Sequence, residues 1–227
     1  MLSKKERILL GITGRNVNEL KTKIKELEKL KIRKASLFLT FLNKKEKKET
    51  YEVLLDSGIK KIPFVHIRND MSIEELKFLR ENFRTKYFNV HENSFRYLGK
   101  WNGFHKRLLV EFNYNNSIPH DLVISRVGGF CIDLSHFMAA KERAAKEYFY
   151  IMKRKDIHKY FKANHLNGYS PKRKADLHTI RTLKDFDYLK TLPRFLFSRY
   201  IALETFNPIS EQIKFRDYVY GLIKDKL

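Results

Sequence analysis

Apolar residues along this chain gather in short runs that alternate with longer, charged segments of helical spacing. The runs cover residues 7–14, 35–42, 61–68, 87–92, 107–112, 129–134, 160–166 and 199–205. Strands buried on both faces read as continuous apolar runs, and their alternation with helical segments marks βα units around a parallel sheet. Between the runs, residues 16–30 carry Leu20, Ile24, Leu27 and Leu30 on one helical face. Ser72 opens a capping box, S-I-E-E, ahead of the Leu76 and Leu79 face. Segments 137–154 and 209–227 also read as helices, whereas 94–105 has room for only a turn or two. Eight strand-like runs are the number that closes a barrel. They predict a single α/β domain over 1–227, a compact (βα)8 TIM barrel with short βα loops. An open doubly wound sheet satisfies the same alternation.

Metal-capable side chains recur at the ends of these runs. His66 ends the third in FVHIRND, His91 the fourth in FNVHEN, and Glu111 the fifth in LLVEFN. The sixth, CIDLSH, offers Asp133 and His136, and the seventh, ANHLNG, offers His165. Asp176 and His178 follow in ADLHTI, and Glu204 ends the eighth in YIALET. In a barrel, residues at the C-terminal ends of strands project into one mouth, where such a fold carries its chemistry. Imidazole and carboxylate donors without thiolate suit zinc, with manganese as the other choice. Each residue alone has an ordinary reading. A lone histidine is a hydrogen-bonded core residue, Glu111 or Glu204 half of an ion pair, and Asp133 a helix cap. Joint placement carries the expectation of metal. His105, His120 and His158 fall on expected helices or connections and read as surface residues, while Lys162 and Asn164 flank His165 as support or barrel lining.

Charge adds a candidate partner. Lys+Arg number 47 against 26 Asp+Glu, a formal net charge of +21, which favours polyanions through phosphate contacts and counterion release. A lysine-rich composition spread over every helix surface reads equally well. One cysteine, Cys131, excludes a disulfide framework and a thiolate zinc site and fits a reducing, cytoplasmic setting. The apolar run near the N-terminus is too short for a signal peptide or a membrane span, so no membrane association is expected. A monomer is the expected state.

From Lys106 onward the motifs GFCIDLSHFMAA, ANHLNG, DLH and IALET resemble GxCxDTxH, HLND, DxH and LET of the xylose isomerase-like TIM barrels. Within them the chain looks most like endonuclease IV, the family 2 apurinic endonucleases. That resemblance implies up to three zinc ions. His66 and His91 would hold the first, with Glu111 bridging to a second completed by Asp133, His165 and Glu204, and His136, Asp176 and His178 would hold a third. It further implies a DNA phosphodiesterase that cuts at apurinic or apyrimidinic sites with metal-activated water, Glu111 and Glu204 being catalytic. Arg68, Lys172, Arg173 and Lys174 would then hold flanking phosphates of DNA, although the P-K-R-K run reads equally as a solvated loop. His66-Ile67-Arg68-Asn69 and His91-Glu92-Asn93 depart from the family's H-A-P-Y and H-P-G. The same superfamily implies an alternative, a sugar or sugar-phosphate isomerase or epimerase with one metal, in which Glu111 and Glu204 shuttle the substrate proton. A third reading is a basic barrel that binds nucleic acid without catalysis.

Overall fold

The computed structural model describes residues 3–227. Eleven strands form: β1 (Ile8–Leu9), β2 (Gly11–Ile12), β3 (Ser36–Phe38), β4 (Phe64–His66), β5 (Tyr87–His91), β6 (Leu108–Glu111), β7 (Gly129–Asp133), β8 (Phe161–Leu166), β9 (Gly168–Ser170), β10 (Ala175–Leu177) and β11 (Tyr200–Leu203). Nine of them make one parallel sheet in the order β1-β11-β8-β7-β6-β5-β4-β3-β2, and β9 and β10 form a separate hairpin. Every expected run contains its strand. The run at 7–14 is broken in two, with β1 pairing β11 and β2 pairing β3. Only Leu10 separates the two pieces, so the sheet's two edges are one stretch of chain and the sheet is nearly closed.

The break is made by a residue far along the chain. Gln212 reaches in from the last helix, accepting from the Gly11 N–H at 2.7 Å and donating to its carbonyl at 3.1 Å. A Cβ at Gly11 would stand 1.8 Å from the Leu203 carbonyl oxygen, so only glycine allows β11 to approach this closely. The Gln212 side chain satisfies backbone groups that the interrupted ladder leaves open.

Helices α1 (Val17–Lys29), α2 (Lys44–Asp56), α3 (Ile73–Phe83), α4 (Leu134–Glu142), α5 (Lys146–Met152) and α6 (Ile209–Ile223) pack outside the sheet. Asn16 caps α1, and Asn43–Glu46 and Ser72–Glu75 close capping boxes on α2 and α3. The segment expected as one helix at 137–154 is two, because Ala144 takes a left-handed φ of 51° between α4 and α5. Strict alternation also fails in places. The β5–β6 connection holds a 3-10 helix, Glu92–Trp101, and β6–β7 holds only Ile124–Arg126. The connection from β8 to β11 is long, carrying the β9–β10 hairpin and a 3-10 segment, Leu183–Thr191, so the expectation of uniformly short loops is corrected there.

Two apolar layers result. Strand residues facing outward join the helices in the main core. Those facing inward, among them Leu9, Phe38, Phe64, Leu109, Cys131, Ala163 and Ala202, form a second cluster inside the sheet. Large Phe38 and Phe64 stand in one cluster with small Ala163 and Ala202 there, a mixture of sizes that suits close packing. No helix of the described residues is long and apolar enough to cross a membrane.

One charge is trapped between layers. Lys23, on the buried face of α1, donates to the Thr205 carbonyl at 2.6 Å. Burial lowers its ammonium to about 7, against the opposing pull of Glu19 and Glu26. An unfolded lysine keeps its proton to about 10.4, so between these values the unfolded chain binds more protons and stability rises with pH. We expect wild type to gain stability relative to Lys23→Met by at most about 1.4 kcal/mol per pH unit above pH 7, read from urea denaturation at pH 7 and pH 9. An unchanged difference between the two pH values would refute this account.

Candidate metal centre

Side chains alternate sides along a strand, and that period of two builds the site. Phe64, Leu109, Cys131, Ala163 and Ala202 fill the sheet interior. Two residues further on, on the same faces, stand His66, Glu111, Asp133, His165 and Glu204. They form the next layer up, at the C-terminal end of the sheet, and all are buried. Glu111, Asp133, His165 and Glu204 each offer a ligand atom within 4.8 Å of the others, as do His66, Glu111 and His165. His165 Nδ1 lies 3.1 Å from Glu111 and 3.3 Å from Glu204, and His66 lies 3.8 and 3.9 Å from the same two carboxylates. The His91 ring centroid is 5.0 Å from that of His66.

The remaining residues arrive by different routes. Asp133 ends β7 and caps α4, accepting from the His136 N–H at 2.8 Å, and this cap turns His136 back over the mouth. His136 Nε2 then lies 3.9 Å from both Asp133 and Asp176. Asp176, in β10, and His178, just past its end, stand two residues apart and meet at 3.0 Å. All nine expected residues therefore surround one mouth. A cavity of about 420 Å3 opens there, lined by His66, His91, Glu111, His136, Asp176, His178 and Glu204, with Asp133 and His165 beneath.

The electrostatics fit cation binding. Both ring nitrogens of His66, Nε2 of His165 and Nδ1 of His91 are buried without a hydrogen-bond partner, and His165 Nδ1 faces two carboxylates without hydrogen-bond geometry. Such orphans are rare, because each costs roughly 1–3 kcal/mol. Burial lowers the His66, His91 and His165 imidazoles, which leaves them neutral with free lone pairs. Burial pushes Glu111 up to about 7, with His91 and His136 opposing, and raises Glu204 as well. Burial would depress His136, but Asp133, Glu111 and Asp176 outweigh it and raise the ring. His178 is pushed up to about 10 despite burial, chiefly by its hydrogen bond to Asp176. Carboxylates crowded this way repel one another, and the neutral His66, His91 and His165 cannot balance them, which leaves that task to the raised His136 and His178 or to a bound cation. A divalent cation would satisfy both groups, so the residues fit a nitrogen- and oxygen-ligated metal.

Further side chains, which no motif-based expectation named, fix the donors. Asn89 donates to Glu111 at 2.7 Å, and Asn167 spans Asp133 at 2.9 Å and Glu204 at 3.3 Å. Tyr114 donates to Asp176 at 2.6 Å, and the Arg143 guanidinium lies 4.5 Å above the Tyr114 ring at the cavity edge. Asn167 lies within the H-L-N-G motif and was findable in the sequence. Arg143 sits at the end of α4 with no motif to mark it. Asn164 is structural, buried on the outward face of β8, where it joins Ile132, Leu196 and Ser198. His105 is half-buried and bonded to the Leu98 carbonyl, which corrects the expectation of a surface residue.

Of the basic residues expected near the site, Lys172 and Arg173 line a second cleft of about 630 Å3 together with Arg181. That cleft shares Asp176 and His178 with the metal cavity. The P-K-R-K run is the tip of the β9–β10 hairpin; Lys174 is exposed and contributes its carbonyl to Arg143. Arg68 is half-buried and engaged by Asp70 at 3.2 Å and the Thr40 carbonyl at 3.1 Å. No family model matches the chain, and no curated protein or solved structure matches it either.

Zn²⁺ or Mn²⁺ present at a thousandfold excess over its Kd should stabilise the fold by about 4 kcal/mol, seen as a rise in melting temperature that a chelator reverses. Asn167→Ala should weaken metal affinity by roughly 10–100-fold, and Glu111→Gln should remove most of the stabilisation. A melting temperature indifferent to every divalent ion would argue against a metal centre.

Proposed function

We propose that the chain is a (βα)8-type barrel, its first strand split at Leu10, acting as a metal-dependent phosphodiesterase on DNA in the manner of endonuclease IV. The observation that carries this reading is the second donor group. His136, Asp176 and His178 stand beside the Glu111–Asp133–His165–Glu204 set, more donors than one ion needs, and the shared cavity runs on into a cleft bearing Lys172, Arg173 and Arg181. Clustered donors beside cationic residues suit a phosphodiester, whose transition state concentrates negative charge.

Zinc, up to three ions, or manganese would supply Lewis acidity and a water of lowered pKa. The protein's own residues do the rest. Glu111, fixed by Asn89, faces both histidine groups and sets the distance between them. Glu204, held by Asn167 and beside His165, orients the attacking water. Arg143, braced on Tyr114, offers a planar guanidinium to phosphate oxygens at the cavity edge. The buried floor of Phe38 and Phe64 keeps bulk water below the donors out.

A second reading has its own support. Glu111, Asp133, His165 and Glu204 alone form a compact set for one ion, as a sugar or sugar-phosphate isomerase would need. There Glu111 and Glu204 would shuttle the substrate proton.

Purified protein with Zn²⁺ or Mn²⁺ should nick an abasic-site duplex, and Glu111→Gln should lower the rate by at least about 100-fold. Cleavage no better than that variant's would end the phosphodiesterase reading. Elemental analysis separates the alternatives: two or three ions per chain support the nuclease, and a single tightly held ion supports the isomerase.

A further inference from the structure

The end of the sheet away from the metal centre is unusual in its own right. All neighbouring strands of the sheet run parallel, so their N-termini emerge together on the face opposite the donors. With about 3.3 Å of rise per residue, the two faces are separated by roughly 15–20 Å. Just before or at the entry to β1, β3, β4, β5, β6 and β11 stand Arg7, Lys34, Lys61, Lys86, Arg107 and Arg199. Each of these strand entries thus delivers a cation to the same rim.

The cations are close enough to feel one another. After burial, Lys61 and Arg199 lower the Lys34 ammonium, and Arg199 and Arg194 lower Arg7. Like charges gathered this way disfavour the folded state unless something anionic offsets them. Within the protein the offset is small. The adjacent cleft of about 650 Å3 is lined by Arg33, Lys34, Lys60, Lys61, Arg84 and Arg216 against only Glu6 and Glu81. On the other side of the rim, Arg7, Arg194, Arg199 and Lys226 line a further cleft of about 500 Å3 with no carboxylate side chain among its lining residues. Arg199 lies 5.9 Å from the Tyr200 ring centroid and Lys86 lies 5.5 Å from that of Tyr87, and the two tyrosines meet edge-on at the base of the sheet.

We propose that this basic rim at the strand N-termini is a second polyanion site, separate from the metal mouth, and that its occupant is the phosphate backbone of a nucleic acid. Long cationic arms spread around a ring suit a chain of phosphates, and planar guanidinia backed by aromatic rings are common in such grooves. An anionic membrane is the less apt partner. None of the large exposed apolar side chains among the described residues, such as Leu30, Leu55 and Phe149, lines either cleft, so nothing there would insert into a bilayer. Binding at the rim does not depend on phosphodiesterase activity; a barrel that cut nothing could bind this way.

Fluorescence anisotropy of a labelled oligonucleotide, titrated with the full chain across a KCl series, tests it. Lys60, Lys61 and Arg84 are exposed, and their side chains hold no hydrogen bond or ion pair among the described residues. The triple variant K60E/K61E/R84E should bind at least about tenfold more weakly, and the slope of log K against log salt should fall by about 0.7–0.9 for each phosphate no longer engaged. The neutral triple K60Q/K61Q/R84Q should show a smaller change of the same sign, which guards against a misfolded charge-reversal protein. The same losses should appear with EDTA present, which takes the metal centre out of the measurement. Unchanged affinity and slope in both triples would overturn the proposal while leaving the metal-site reading intact. A reduction seen with anionic phospholipid vesicles but not with the oligonucleotide would overturn it in favour of a membrane.

Discussion

Closing a parallel sheet forces one face of every strand inward, and the alternation of side chains then stacks those inward residues in layers. Most of what is distinctive in this protein follows from that constraint. A lower layer of Phe, Leu, Ala and Cys side chains, with Tyr200 beneath them, is largely apolar. The layer above it, reached by two residues of chain on each strand, holds His66, Glu111, Asp133, His165 and Glu204. A donor set so placed is rigid, because no loop has to fold to bring it together. It is also costly in isolation, since buried carboxylates and partnerless imidazoles both lose the hydration they had in the unfolded chain.

Loops supply what the strands cannot. His136 enters through a helix cap, and Asp176 with His178 enters on a hairpin that the long β8–β11 connection makes. The strand-borne donors are thus fixed by the sheet, whereas the outer donors ride on elements outside it, one of which carries the basic hairpin tip as well. Binding of an ion between the two groups would tie the hairpin to the sheet, coupling the position of Lys172 and Arg173 to the state of the centre.

How much of this is legible in the sequence depends on the range of the interaction. All eight apolar runs contain strands, and the nine candidate ligands meet at one mouth, because strand periodicity and the Asp-x-x-His and Asp-x-His spacings act over a few residues. What escaped depends on distant partners. The break at Leu10 is made by Gln212, and the split between α4 and α5 depends on a left-handed Ala144 that no propensity foretells. Arg143 acquires its place at the cavity only through Tyr114 and the Lys174 carbonyl. Net charge favours polyanions in general but says nothing of where the cations gather. The arrangement of cations at strand entries is a property of parallel topology, visible only when the strands are laid side by side.

The Gln212 clamp on Gly11 has a consequence for how the molecule comes into being. Its two residues are 201 positions apart, so the first strand cannot be fully partnered until the final helix exists. A chain emerging from the ribosome must therefore carry β1 without its β11 partner until residues 200–203 have been made. Loop-closure entropy for so distant a contact is met only when β11 and α6 arrive together. The last helix is in this sense a latch, and a ribosome stalled before it would leave a sheet with exposed, pairing-competent edges.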